Sequence, residues 1–134
     1  MHELYDEPKV PVNGVLNPFQ KDEKPLHGVV ALKNSHGQQV SLFDGARRAL
    51  YELVTNPIYK DVQVAVASTS LEPSYSHACL RGIEILPGQS MRDVIKFDQI
   101  GRSGRLTSRK TTHFRLLHEQ SGIPYEEMLF FDGT

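Results

Sequence analysis

The chain has 134 residues, 39% of them hydrophobic and 23% charged, with a formal net charge of -1. That length suits one small globular domain able to bury a core, and the near-neutral balance gives no field that draws the chain to nucleic acid, a membrane surface or an acidic partner. One cysteine, Cys79, excludes an internal disulfide framework, and no stretch approaches the roughly 18 apolar residues of a membrane helix. The opening MHELYDEPKVPV lacks the basic flank and apolar run of a signal peptide, so a cytoplasmic setting and a small phosphorylated or other metabolite partner are expected.

Residues 1–28 hold Pro8, Pro11, Pro18 and Pro25 among scattered charges, which predicts an irregular lead-in. Two short apolar runs, 29–33 and 40–43, flank Asn34-Ser35-His36-Gly37 and predict a small β-hairpin. Asp44, as N-cap, precedes a stripe of Ala46, Ala49, Leu50, Leu53 and Val54 at helical spacing, and Asn56-Pro57 ends it. The run 62–67 is rich in β-branched and small residues, the pattern of a strand buried on both faces of a parallel sheet. It stops in Ser68-Thr69-Ser70. Thr69 and Glu72 have capping-box spacing and Pro73 suits a first turn, so a helix is predicted through Ser76, Ala78 and Leu80.

A variable stretch follows through Pro87-Gly88 and Gly101 to Gly104. A helix is then predicted over 111–120, with Phe114 and Leu117 on its apolar side beside His113 and Leu116, and Gly122 closing it. Met128-Leu129-Phe130-Phe131 reads as another buried strand, running into Asp132-Gly133. Helices alternating with apolar strands predict an α/β fold with a mainly parallel sheet.

Ligands of such sheets gather beyond the carboxyl ends of strands, which directs attention to Ser68 and Asp132. A hydroxyl ahead of a helix N-terminus seats an anion, since backbone N–H groups and the helix dipole both favour phosphate. Asp132 is a hard oxygen ligand of the kind Mg²⁺ takes, and Lys110, leading into a helix, is a point charge for phosphoryl oxygens. Taken singly, Ser68 is an ordinary N-cap, Asp132 a turn residue and Lys110 a solvated surface cation; their order along the chain raises all three.

Three segments, VAVASTSLEP, SRKTTHFRLLHEQSGIPYEEM and LFFDG, resemble in order those of the magnesium-dependent phosphatase-1 group of haloacid-dehalogenase-like hydrolases. The resemblance implies a Rossmann-like three-layer parallel sheet, incomplete at both ends, carrying a small β-hairpin insertion, with 29–134 as a partial phosphatase domain. It implies that Ser68, with Thr69 beside it, binds the phosphoryl group, that Lys110 steadies a phosphoaspartate, and that Asp132 helps hold Mg²⁺. The implied reaction is hydrolysis of a phosphomonoester, a phosphotyrosine or a sugar phosphate, by attack of an aspartate on phosphorus.

Three departures accompany the likeness. No Asp-x-Asp pair follows an apolar strand, so neither nucleophile nor general acid is assigned, and the chain as written is expected to be truncated and inactive. Asp132 is followed by Gly133 instead of a second acid, and Thr69 stands where family members often carry arginine. The alternative is a non-catalytic phosphate-binding or interaction domain.

Other chemistries find less support. His113 and His118 are five apart and do not share a helical face, while His77 with Cys79 is only a pair, short of a zinc site. Cys79 lacks the nearby arginine of a cysteine phosphatase loop. No aromatic residue lies between Arg102 and Lys110, so that basic stretch is not built to stack on bases.

Overall fold

The computed structural model describes residues 7–131 of the chain. Asp132, the expected metal ligand, lies outside the described residues. The fold is mixed α/β, with helices and one parallel strand pair, as the alternation of elements predicts. It divides into two compact units, Met1–Val64 with Glu72–Lys96, and Ala65–Leu71 with Phe97–Thr134.

In the first unit, β1 (Val10–Val15), β2 (His27–Lys33) and β3 (Gln39–Ser41) form an antiparallel sheet in that order. The predicted hairpin is the β2–β3 pair, with Ala31 opposite Ser41 and Gly37 at φ +78° in the turn. The expected irregular lead-in instead supplies β1, paired with β2 from Val10 opposite Lys33 to Val15 opposite His27, and a bulge falls at Val12–Asn13. Its prolines do not obstruct the sheet because β1 is an edge strand, where a missing N–H on the outer side costs no ladder bond. Beyond it Asn17, 2% exposed, ties the loop shut: its Oδ1 accepts from Leu26 N at 2.8 Å and its Nδ2 donates to the Lys24 carbonyl at 3.2 Å.

Helix α1 (Asp44–Thr55) forms where predicted, but Phe43 is its N-cap and Asp44 its first residue, with no side-chain cap. Its buried residues are Arg47 and Tyr51; Ala46 and Ala49 are exposed, and Leu50, Leu53 and Val54 half-buried. The stripe misses this because long amphipathic side chains bury their stems and rings while satisfying their polar ends. Tyr51 packs edge-on to Phe19 at 5.2 Å and its hydroxyl reaches Glu23 Oε2 at 3.3 Å; burial, then Glu23, raises its pKa.

Helix α2 (Pro73–Gly82) starts with proline in its first turn as expected, but Glu72 is the N-cap and no capping box forms with Thr69. The expected variable stretch is ordered. Strands β5 (Glu84–Leu86) and β6 (Gln89–Ser90) make a hairpin around Gly88 at φ +78°, and α3 (Met91–Val94) opens with a capping box between Ser90 and Asp93. Glu84 staples the unit, its Oε1 accepting from Val29 N at 2.8 Å and its Oε2 from Gly88 N at 2.7 Å. The core gathers Leu16, Ala31, Leu32, Ala78, Leu80, Ile83, Ile85 and Met91.

In the second unit, β4 (Ala65–Ser68) and β7 (Phe97–Ile100) pair in parallel, Ala65 opposite Phe97 and Ser68 opposite Ile100. Expected to be buried on both faces, β4 has Ala65 exposed and its other residues half-buried, since among the described residues it has one hydrogen-bonded neighbour and not two. Helix α4 (Lys110–Ser121) packs on both strands, burying His113 and Leu117, and ends at Gly122 in the left-handed conformation, φ +71°.

The strand expected at Met128–Phe131 is absent. Among the described residues no strand pairs with it, so its backbone gains no ladder, and Leu129 and Phe131 stand 82% and 80% exposed. The parallel partner of β4 is instead β7, whose Phe-Asp-Gln-Ile sequence gave little apolar signal.

Candidate phosphate site

The second unit holds Ser68, Thr69 and Lys110, and hydrogen bonds link the backbone at Ser68 and Thr69 to the 101–109 loop and to helix α4, which Lys110 opens. Ser68 ends β4, and its carbonyl accepts from Gly101 N, the first residue beyond β7, at 2.9 Å. The Gly101 carbonyl in turn faces Nε2 of His113 at 2.8 Å. His113 is fully buried and lies one helical turn after Lys110, so Lys110 and His113 share a face of α4. Two hydrogen bonds therefore separate Ser68 from the first turn of the helix that Lys110 opens.

The two loops at this end are stitched a second time. Arg102 Nε donates to the Thr69 carbonyl at 2.8 Å, so the residue after Ser68 is held through its backbone. The Ser68 hydroxyl accepts from Ser70 N at 3.2 Å, a local turn that fixes the hydroxyl's position while leaving its own proton to donate. The loop 101–109 closes onto α4 through Thr112, whose Oγ1 accepts from Thr107 N at 3.1 Å and donates to the Arg109 carbonyl at 2.7 Å. His113 Nδ1 also faces the Arg109 carbonyl, at 3.2 Å.

Lys110 is half-buried, with Nζ 4.9 Å from the centroid of the Phe130 ring. Phe130 meets Phe114 edge-on at 4.8 Å. The Lys110 ammonium thus lies over one ring of an aromatic pair, a cation–π contact that favours one placement of the side chain. Farther along α4, His118 stacks on Tyr125 at 4.4 Å, and Arg105 makes a two-pronged pair with Glu119 at 2.8 and 2.9 Å. That pair is exposed. It holds the Glu119 carboxyl below its ordinary pKa, chiefly through the hydrogen bond from Arg105.

Among the described residues no three His, Cys, Asp or Glu side chains come together to hold a metal, so these residues do not by themselves make a Mg²⁺ site. Cys79 is a half-buried helical residue whose thiol pKa is raised by burial, the opposite of an activated nucleophile. His113, which sequence reasoning placed only beside an apolar face, is the buried residue that joins α4 to Gly101; nothing in its spacing marks the carbonyl it meets.

Comparison with known proteins adds a family. The model of the acid phosphatase family matches residues 7–134. A "HAD-like hydrolase superfamily protein P8B7.31" from Schizosaccharomyces pombe (strain 972 / ATCC 24843) is 30% identical over 118 residues, which is 88% of this chain and 63% of that protein. The chain thus spans less than two thirds of the length of that relative. No solved structure matches.

Proposed function

The chain belongs to the acid phosphatase family, and from that premise we propose that it carries the phosphate-binding part of a phosphomonoester hydrolase of the magnesium-dependent phosphatase-1 type. The observation that carries the proposal is the hydrogen-bonded path from the Ser68 carbonyl through Gly101 to His113, which ties the strand end that bears the Ser68 hydroxyl to the first turn of the helix that begins with Lys110. In this reading the Ser68 hydroxyl donates to a phosphoryl oxygen and the Lys110 ammonium offsets its charge, with Thr69 beside them. The resemblance supports the same roles residue by residue.

The reaction proposed for the family member is attack of an aspartate oxygen on phosphorus with departure of the alcohol, then attack of water on the phosphoaspartate to release inorganic phosphate. Bound Mg²⁺ would offset the charge of the phosphoryl group, and Asp132 is its proposed ligand from this sequence. A second reading is favoured by one observation: no Asp-x-Asp pair follows an apolar run in the sequence. In that reading the chain is a non-catalytic phosphate-binding domain.

The test is p-nitrophenyl phosphate hydrolysis with and without Mg²⁺, run beside calorimetric titration of inorganic phosphate, on the parent, Ser68→Ala and Lys110→Ala. Turnover that needs Mg²⁺ and is lost in Lys110→Ala establishes the hydrolase. Phosphate binding without turnover, weakened roughly 10- to 100-fold in Lys110→Ala as expected for a charged hydrogen bond, supports the phosphate seat and leaves this chain without catalysis of its own. Phosphate binding unchanged in both variants refutes the seat.

A further inference from the structure

The loop after β7 carries three arginines, and each stands differently. Arg105 is spent, since both its Nη groups pair with Glu119 at 2.8 and 2.9 Å. Arg109 is the N-cap residue of α4, directly ahead of Lys110. Arg102 is held at one atom: its Nε donates to the Thr69 carbonyl at 2.8 Å, and among the described residues neither of its Nη groups has a partner.

That one bond decides where the rest of the group lies. A guanidinium is rigid and planar, with its N–H donors in a fixed fork, so anchoring Nε at Thr69 sets the two Nη groups beside the turn that the Ser68 hydroxyl makes with Ser70 N. The backbone end of the side chain is fixed at the same place. Gly101, the residue before it, donates from its N–H to the Ser68 carbonyl at 2.9 Å, and Ser68 stands opposite Ile100 in the β4–β7 register. Holding the Thr69 carbonyl takes a single N–H, which any shorter donor would supply. The Nη fork is the part of Arg102 that this positioning role leaves unused.

We infer that Arg102 sets the specificity of the phosphate seat proposed above, an assignment that rests on that seat: its Nη groups take a carboxylate carried by the same molecule whose phosphoryl group lies at Ser68 and Lys110. The ligand is thereby narrowed to phosphomonoesters that bear a carboxylate. Two coplanar N–H groups match the two coplanar oxygens of that group, and one guanidinium matches its single charge.

Calorimetric titration of the chain with propyl phosphate and with 3-phosphonooxypropanoate, the same ester with its terminal methyl replaced by a carboxylate, tests this at constant ionic strength. The second ligand is expected to bind at least about tenfold tighter, as a charged hydrogen-bonded pair provides. Arg102→Gln is the informative variant. The glutamine amide nitrogen stands as many bonds from Cα as Nε does, so it can keep the bond to the Thr69 carbonyl while the Nη groups are gone. The ratio of the two affinities should fall below about threefold in that variant, and any lost alignment of the Ser68 turn falls on both ligands and leaves the ratio alone. Arg105→Gln takes the same charge from the same loop and should keep the parent ratio, which separates a contact from a general field. Equal affinities in the parent, a ratio that survives Arg102→Gln, or one that falls as far in Arg105→Gln overturns the inference. The seat itself is judged by Lys110→Ala. If neither ligand binds, or Lys110→Ala weakens neither, the seat falls and this inference with it; if Lys110→Ala weakens both and the parent affinities are equal, this inference alone falls.

Discussion

Replacing His113 by alanine tests the link between the end of β4 and helix α4. The ring is fully buried and Nε2 lies 2.8 Å from the carbonyl of Gly101, which is itself buried. Truncation leaves that carbonyl without its partner, at a cost of about 1–3 kcal/mol, and opens a space the size of an imidazole. The Arg109 carbonyl, the other partner at 3.2 Å, belongs to an exposed residue and recovers water, so it adds little. A loss of about 2–4 kcal/mol on urea denaturation follows. His113→Gln, whose amide N–H reaches about as far as Nε2, should recover roughly half of it. Amide exchange separates this from general loosening, because the Gly101 N–H, bonded to the Ser68 carbonyl at 2.9 Å, should exchange at least about tenfold faster in the alanine variant than in the glutamine variant. A loss under about 0.5 kcal/mol, with Gly101 exchange unchanged, would refute the reasoning.

Gly82→Ala should destabilise by about 1–3 kcal/mol despite the better helix propensity of alanine, because its Cβ would come within 2.5 Å of Leu32 Cδ1, a 4% exposed core residue; thermal unfolding measures it. Gly122→Ala should cost about 1 kcal/mol with no clash at all, since only its φ of +71° is at stake, and Gly122→Asn should cost less. Glu119 should titrate below the ordinary glutamate range in ¹³C spectra, and Arg105→Ala should return it toward that range. Because its folded pKa is depressed, any stability it lends is present above the unfolded pKa and lost as pH falls through the folded one. The Cys79 thiol, with its pKa raised by burial, should react with iodoacetamide more slowly than free cysteine at pH 8.

What was legible in the sequence was set by local chemistry. Gly122 after a helical stretch, Pro73 at a first turn and Asn34-to-Gly37 between apolar runs each act within a few residues, and α4, α2 and the β2–β3 hairpin form where they point. Strands were harder, because a strand exists only with its partner. Met128–Phe131 has the apolar composition of a strand and no described neighbour, whereas Phe97–Ile100 has two polar residues in four and is a strand because β4 lies beside it. The lead-in misled in the same way: its prolines are compatible with an edge, and only the β2 pairing reveals β1. Of the candidate site, Ser68 and Lys110 were legible as a strand end and a helix start. Gly101 and His113, which join them, were not, since a backbone carbonyl leaves no mark in sequence.

The two units solve one problem alike. In α1 and in α4, both twelve residues long, the fourth residue is basic and buried: Arg47 in the first, His113 in the second. Each aims a ring or guanidinium nitrogen at a backbone carbonyl, Glu84 in β5 or Gly101 just beyond β7. A carbonyl at a strand's limits lacks full ladder pairing, and a helix first turn has a positive field that makes a guanidinium such as that of Arg47 a costly choice there. Satisfying the carbonyl offsets that cost and fixes the helix start relative to the sheet. A leucine in either place would pack as well and fix nothing. The difference between the two is what remains over: among the described groups none bonds the buried Nη2 of Arg47, while both ring nitrogens of His113 face carbonyls.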